Sequence, residues 1–367
     1  MTDVTIVHDY LTQRGGAERV VLAICAAFPD APVVTSLFDP PATFPEFANL
    51  TVRTLPINRL SPLRHNHRLA LPFLAATFSS ARIDTPVTVC SSSGWAHGVH
   101  AAGRKVVYCH NPPRWLYQSA TYLRGFGKMT RPALAAMQPG LVRWDKKAAR
   151  SADLYIANSA VVRERILDAY GIEAEVVHPP FTLDTAAPTS PIAGVDSGFF
   201  LCVSRLLSYK NVDAVIEAFR HLPREQLVLI GDGPLEAALR SAAPANVIML
   251  RRVDDSTLRW AYSNCRGVIA ASYEDFGLTP LEGAAFGKPT VALSWGGFLE
   301  TVLPEVTGLF FDASDPSRIS QAVLQLSRRN WDDSEIRAWA DNFSIERFIR
   351  RMRSIVADQM QTIGESP

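Results

Sequence analysis

Two series of short apolar runs, each alternating with amphipathic stretches, leave few folds open to this chain. The first series is VTIV (4–7), APVVTSLF (31–38), PVTVCSSS (86–93), KVVYCH (105–110) and DLYIANS (153–159). The second is FFLCVS (199–204), QLVLIG (226–231), NVIML (246–250), GVIAAS (267–272), PTVAL (289–293) and GLFFD (308–312). Between them lies 176–198, a stretch with four prolines and interspersed Thr, Ser and Gly, which reads as a linker. Strands alternating with helical patterns predict βαβ units and parallel sheets, so the fold class is α/β with two Rossmann-like domains facing across a cleft. The boundaries follow: 1–184 for an N-terminal domain, 195–345 for a C-terminal domain, and 346–367 for a closing amphipathic helix capped by Ser344. Ser159 caps a helix that Gly171 stops.

Composition narrows the class. With 47% hydrophobic and 20% charged residues, the chain of 367 has ample core and is not of disordered type. No run approaches the 18 or so apolar residues of a membrane span, and MTDVTIVHDY lacks the basic flank of a secretion signal. The five cysteines (Cys25, Cys90, Cys109, Cys202 and Cys265) are scattered, with no CxxC pair. Neither a disulfide framework nor a zinc site is indicated, and a reducing cytoplasm is the expected location.

The net charge of +1 hides an asymmetry, because residues 51–150 carry 15 basic and only two acidic side chains, Asp84 and Asp145. Such a field favours an anionic partner. Arg59, Arg64, His65, His67 and Arg68 alternate with Leu60, Leu63, Leu69, Leu71 and Phe73, and a second cluster holds Arg124, Lys128, Arg131, Arg143, Lys146 and Lys147. Both suit a phospholipid surface or a phosphorylated substrate, and equally a solvated basic face. No nucleic-acid module accompanies the charge, so nucleic acid is not an expected partner.

Three segments carry chemistry. In Glu274–Glu282, a strand end leads to Phe276, Gly277, Leu278 and Thr279, where the N–H groups of a helix start form an anion site. Glu274 on the loop and Glu282 one turn into the helix could reach sugar and ribose hydroxyls; the same spacing also fits an ordinary strand–loop–helix with two surface glutamates. Arg205 and Lys210 follow the first strand of the second series, where two cations can offset a departing diphosphate. Gly15 and Gly16 follow the first strand and permit close approach of a ligand to a helix N-terminus. GxGxxG and GxxxxGK[ST] are both absent, which disfavours dehydrogenases and removes P-loop NTPases. His110, and less so His8 beside Asp9, should project from strand carboxyl ends into the cleft, with His8 and Asp9 candidates for contact with an acceptor or a membrane, whereas His97, His100 and His178 read as structural or surface residues.

These residues resemble a family 4 retaining glycosyltransferase of the GT-B fold. EDFGLTPLE resembles that family's E-x7-E motif, Arg205 with Lys210 its R-x4-K pair, Gly231–Pro234 its G-x-G-P turn, and FSIERF the segment before a last helix that crosses back to the N-terminal domain. HDYLTQRGGAERV, SSSGWAHGV and YCHNPPRWLY resemble bacterial O-antigen and exopolysaccharide mannosyltransferases. The resemblance implies that Arg205 and Lys210 hold the donor diphosphate, Glu274 the donor sugar, and Glu282 the ribose diol. The N–H groups of Phe276–Thr279 would support sugar and phosphate, Gly16 helped by Gly15 would approach the phosphate, and His110 would contact the transferred sugar. The base would rest near Val253. The expected donor is GDP-mannose, with a UDP-hexose as the alternative, and the acceptor a glycan or polyprenyl-diphosphate-linked saccharide. No DxD motif stands at a strand end (Asp254 and Asp255 are a weak look-alike), so no metal or other cofactor is expected. A non-hydrolysing sugar-nucleotide epimerase and a non-catalytic nucleotide-sugar-binding protein are the rival readings from other classes.

Overall fold

The computed structural model describes residues 3–117 and 130–364. The chain divides into two compact units, residues 1–179 with 345–367, and residues 180–344. The first unit contains β1 (Val4–His8), β2 (Val33–Thr35), β3 (Val52–Thr54), β4 (Arg82–Ile83), β5 (Val87–Ser92), β6 (His100–Ala101), β7 (Arg104–Cys109), β8 (Leu154–Ala157) and β9 (Glu175–Val176). Seven of these form a parallel sheet in the order β3-β2-β1-β5-β7-β8-β9, while β4 pairs with β6 alone. Every residue of β1 and β5 is buried, as a parallel sheet covered on both faces requires. The edge strands β3 and β9 escape a periodicity reading because they are two or three residues long and none of their residues is fully buried.

The helix Ile345–Gly364 belongs to this first unit although it ends the sequence. Phe348, Met352, Ile355 and Val356 form one stripe along it and join a core with Val20, Val21 and Ile24 of the helix Gly16–Ala27. Arg353 Nε donates to the carbonyl of Ala27 at 2.8 Å, and Arg351 pairs with Glu175. Ser159 Oγ accepts from the N–H of Val162, and Gly171, with φ +69°, closes the helix Ala160–Tyr170 by an N–H bond to Leu167.

One cation of the basic region is internal. Lys105 is buried, and its Nζ donates to the carbonyls of His97 (3.1 Å) and Val99 (2.7 Å) and to Ser151 Oγ (2.8 Å). Burial pushes its ammonium below the usual lysine range. Part of the positive excess therefore braces the fold.

The second unit is a six-stranded parallel sheet. Its strands are β10 (Phe200–Val203), β11 (Leu227–Ile230), β12 (Val247–Leu250), β13 (Gly267–Ala270), β14 (Thr290–Leu293) and β15 (Gly308–Phe311), in the order β12-β11-β10-β13-β14-β15. The chain runs outward from β10 in one direction and resumes at β13 on its other side. That reversal opens a crevice at the carboxyl ends of β10 and β13, where sheets of this kind bind ligands. In the first sheet the corresponding reversal falls between β1 and β5.

Candidate active site

In the second unit, the loops after β10 and β13 bring the predicted residues together. Lys210 Nζ forms an ion pair with Glu274 Oε1, and Ser272 Oγ donates to the same oxygen at 2.9 Å. Lys210 also lies 5.0 Å from the Tyr209 ring centre. Arg205, by contrast, is exposed and pairs with no carboxylate among the described residues. Of the two predicted phosphate-binding cations, one is already charge-compensated and the other faces solvent.

The helix Leu278–Ala285 starts from Gly277, whose φ of +91° and contact with Phe298 leave no room for a side chain. Its first N–H groups point out of the carboxyl end of β13, and Thr279 Oγ1 sits 3.5 Å from the carbonyl of Val203 at the end of β10. Phe276 is buried against Phe343 and contributes backbone rather than side chain. Glu282 Oε2 accepts from the buried Tyr262 hydroxyl at 2.6 Å, which orients the carboxylate; burial, then Glu282 itself, raises the Tyr262 phenol well above its usual range.

Several contributors carry no motif. Asn211 adopts φ +52°, and its Nδ2 donates to the carbonyl of Ala271 (2.8 Å) and to Ser314 Oγ (2.9 Å), tying together the loops after β10, β13 and β15. Gly297 N–H bonds to the carbonyl of Glu274, and a Cβ at Gly297 would stand 2.1 Å from Phe276 Cα. The Gly-Asp-Gly-Pro turn presses onto the same place, with a Cβ at Gly231 falling 1.8 Å from the carbonyl oxygen of Ser204. Val253 follows β12 beside Arg251 and Arg252, which pair with Glu236 and Asp232. Asp254 caps the helix Asp255–Asn264 by accepting from Thr257 N–H at 2.7 Å, so this look-alike of a metal motif has a capping role.

In the first unit, His110 follows β7 and is half-buried. Its Nε2 lies 2.8 Å from Ser91 Oγ, its ring packs edge-on to Tyr108, and its carbonyl accepts from Asn158 Nδ2 at 3.1 Å. Gly15 is the cap of the helix starting at Gly16, and a Cβ on Gly15 would lie 2.6 Å from Glu18 Oε2.

Two expectations are corrected here. His8 and Asp9 were expected to face an acceptor or a membrane, but each is 2% exposed. Asp9 accepts from the N–H groups of Ser93 (2.7 Å), Trp95 (3.1 Å) and Ala96 (2.6 Å), so it anchors a turn. Burial raises its carboxyl above the usual range, against the pull of His8 and these N–H groups. His8 is held between Ser91 and Glu18.

The surface residues stand apart from these groups. Arg59 is exposed and Arg64 half-buried, beside Leu60, Leu69 and Phe73, each more than half exposed. A groove of about 390 Å³ runs here, lined by Ile57, Leu60, Leu63 and Phe73 among others. Arg143, Lys146, Lys147 and Arg150 line a second hollow of similar volume, spaced i, i+3, i+4, i+7 on and just past the helix Thr130–Ala149. Trp144 Nε1 on that helix donates to Ser79 Oγ of the helix Leu71–Ser80 at 2.8 Å, joining the elements that carry the two features. The side chain of Arg68 is outside the description, and Arg124 and Lys128 lie outside the described residues altogether. Among the described residues, no helix is long and apolar enough to cross a membrane.

Comparison with known proteins agrees with this geometry. The family model Glycosyltransferase Family 4 matches residues 14–185, and the model Glycosyl transferases group 1 matches residues 190–342. The chain is 30% identical over 149 residues to the O-antigen chain mannosyltransferase C of Escherichia coli, covering 38% of this chain and 39% of that one. It is 31% identical over 209 residues to a GDP-mannose-dependent α-(1-6)-phosphatidylinositol monomannoside mannosyltransferase of Mycolicibacterium smegmatis, covering 49% and 54%. The chain thus spans about half or less of the length of the curated relatives it matches. In fold it is similar to Anabaena HepE, solved with UDP and glucose, with a TM-score of 0.71 over 97% of this chain and 100% of that one, at 18% identity. The chain belongs to the glycosyltransferases of the GT-B fold, with a Family 4 domain leading a group 1 domain.

Proposed function

We propose that this protein is a retaining hexosyltransferase that moves mannose from GDP-mannose to a glycan or a polyprenyl-diphosphate-linked saccharide in cell-surface polysaccharide synthesis. One observation carries the donor site: exposed Arg205, the Lys210–Glu274 pair and the N–H groups at Gly277–Thr279 flank one topological reversal. Arg205 and Lys210 take the diphosphate, Glu274 the sugar hydroxyls, Glu282 the ribose, and the loop at Val253 the base. Gly16 approaches the phosphate, and His110 meets the transferred sugar. As the glycosidic bond breaks, negative charge grows on the departing diphosphate, and two cations with a helix N-terminus can stabilise it without a metal ion. The acceptor hydroxyl then forms its bond to the anomeric carbon on the face the diphosphate leaves and gives its proton to the leaving phosphate, which preserves configuration.

Mannose and GDP rest on the two mannosyltransferase relatives. A UDP-hexose donor is the second reading, favoured by the UDP and glucose bound to HepE. The apolar groove at Leu60 and Phe73, with the basic stripe Arg143–Arg150, suits peripheral attachment to an anionic membrane at the cytoplasmic face.

The test is transfer of labelled sugar from GDP-mannose and from UDP-glucose to a bacterial lipid extract, with the anomeric configuration of the product read by NMR. Transfer from GDP-mannose alone, with an α-linked product, supports the reading. Transfer from UDP-glucose alone replaces the donor, and an inverted product removes the same-face mechanism. Co-sedimentation with anionic vesicles should fall on triple charge reversal at Arg143, Lys146 and Lys147; unchanged binding would remove the membrane proposal.

A further inference from the structure

At the reversal point of the first sheet, three side chains that the donor-site reading does not use form a line ending at His110. His8 ends β1, Ser91 sits opposite it in the parallel register of β1 and β5, and His110 follows β7. Glu18 reaches the same place from the first turn of the helix Gly16–Ala27. Glu18 Oε1 lies 4.0 Å from His8 Nε2 and accepts from Gln13 Nε2 at 3.0 Å. His8 Nδ1 lies 3.1 Å from both the carbonyl oxygen and the hydroxyl of Ser91. Ser91 Oγ then lies 2.8 Å from His110 Nε2. Glu18, His8 and Ser91 are 1%, 2% and 0% exposed, and Glu18 Oε2 is buried without a hydrogen-bond partner.

Elementary hydrogen-bond accounting orients the protons between His8 Nδ1 and His110 Nε2. A carbonyl oxygen only accepts, so His8 Nδ1 must be the donor to Ser91. Its N–H is shared with Ser91 Oγ, which leaves the serine hydroxyl to donate in turn. A buried hydroxyl proton needs an acceptor, and His110 Nε2 is in reach. His110 Nε2 is then a lone pair, and the neutral ring carries its proton on Nδ1.

We propose that Glu18, His8 and Ser91 form a positioning relay that holds His110 in one orientation and in the tautomer protonated on Nδ1. The relay also gives Gly15 a reason, since any side chain there would displace the Glu18 carboxylate from His8. Burial works against a charge on His8, but the Glu18 carboxylate, with Asp9 and the Ser91 carbonyl, raises its affinity for a proton above the ordinary value. Burial shields all three relay residues from solvent. They act through His110, so the proposal rests on the reading that His110 meets the transferred sugar.

The test combines ¹⁵N-histidine NMR with kinetics on the full chain. His110 resonances, assigned with His110→Gln, should report the Nδ1-protonated tautomer in the wild type. Ser91→Ala should shift them toward the other tautomer and lower kcat about 10- to 100-fold, as misplacement of a substrate-contacting group does, while donor KM changes less than about threefold. Glu18→Gln, a milder change, should lower the pH at which His8 gives up its second ring proton. A wild-type His110 protonated on Nε2, or a folded Ser91→Ala protein with unchanged tautomer and kcat, would overturn the relay. His110→Ala separates the two ideas: full activity in that variant would remove His110 from the sugar site, and the NMR measurement would still decide the relay.

Discussion

Lys210 and Glu274, 64 residues apart in sequence, form an ion pair at the carboxyl ends of β10 and β13. The cation proposed for the diphosphate is thus already compensated by the carboxylate proposed for the sugar. An ammonium has three donors, so it can turn one toward phosphate while keeping another on Glu274. Ser272, bonded to the same carboxylate oxygen, keeps Glu274 in place during that exchange.

Glu274→Gln should therefore split binding from turnover. The amide no longer competes for Lys210, so the free nucleoside diphosphate should bind as tightly as to wild type, or more tightly. Sugar transfer should fall about 100-fold or more, the scale of losing a group that stabilises the reacting centre. Calorimetry and initial rates check this, and a parallel loss of diphosphate affinity and rate would contradict it.

His8 makes stability pH-dependent in a defined direction. Its folded-state value is raised above 6.5 by Glu18, Asp9 and the Ser91 carbonyl, which together outweigh burial. The stabilisation is therefore fully present below about pH 6.5 and is lost as pH rises through the raised value. Urea unfolding of wild type and His8→Gln should differ most below pH 6.5, and the difference should shrink as pH rises through the raised value. A difference that grew with pH would reverse the sign.

Phe348 on the closing helix is 3% exposed and packs edge-on to Tyr108, with ring centres 5.8 Å apart. Phe348→Ala should cost about 3–5 kcal/mol of stability by urea unfolding, the scale for a buried Phe truncated to Ala. A loss under about 1 kcal/mol would mean that the last helix is not part of the first unit's core.

Much of the architecture is legible in the sequence because it is local. The runs at 4–7, 200–203 and 267–270 announce buried parallel strands as short continuous apolar stretches, and Ser159 and Gly171 announce their caps by residue type. The strand after which each site residue sits was readable for the same reason. Partnership was not. Nothing in periodicity tells that Lys210 meets Glu274, that Asn211 ties three loops together, or that Tyr262 orients Glu282. His8 and Asp9 misled because a polar pair at a strand's carboxyl end is as consistent with a buried network as with a ligand. Burial, which sequence does not show, decided it.

If the second unit binds a nucleotide-sugar donor through Arg205 at the β10/β13 reversal, calorimetric titration with GDP-mannose and UDP-glucose will show it. Wild type should bind one of the two, and Arg205→Ala should bind it about tenfold or more weakly at unchanged melting temperature, since a charge-assisted bond contributes about 1.5–3 kcal/mol. No binding of either donor, or equal affinity in Arg205→Ala, would contradict it.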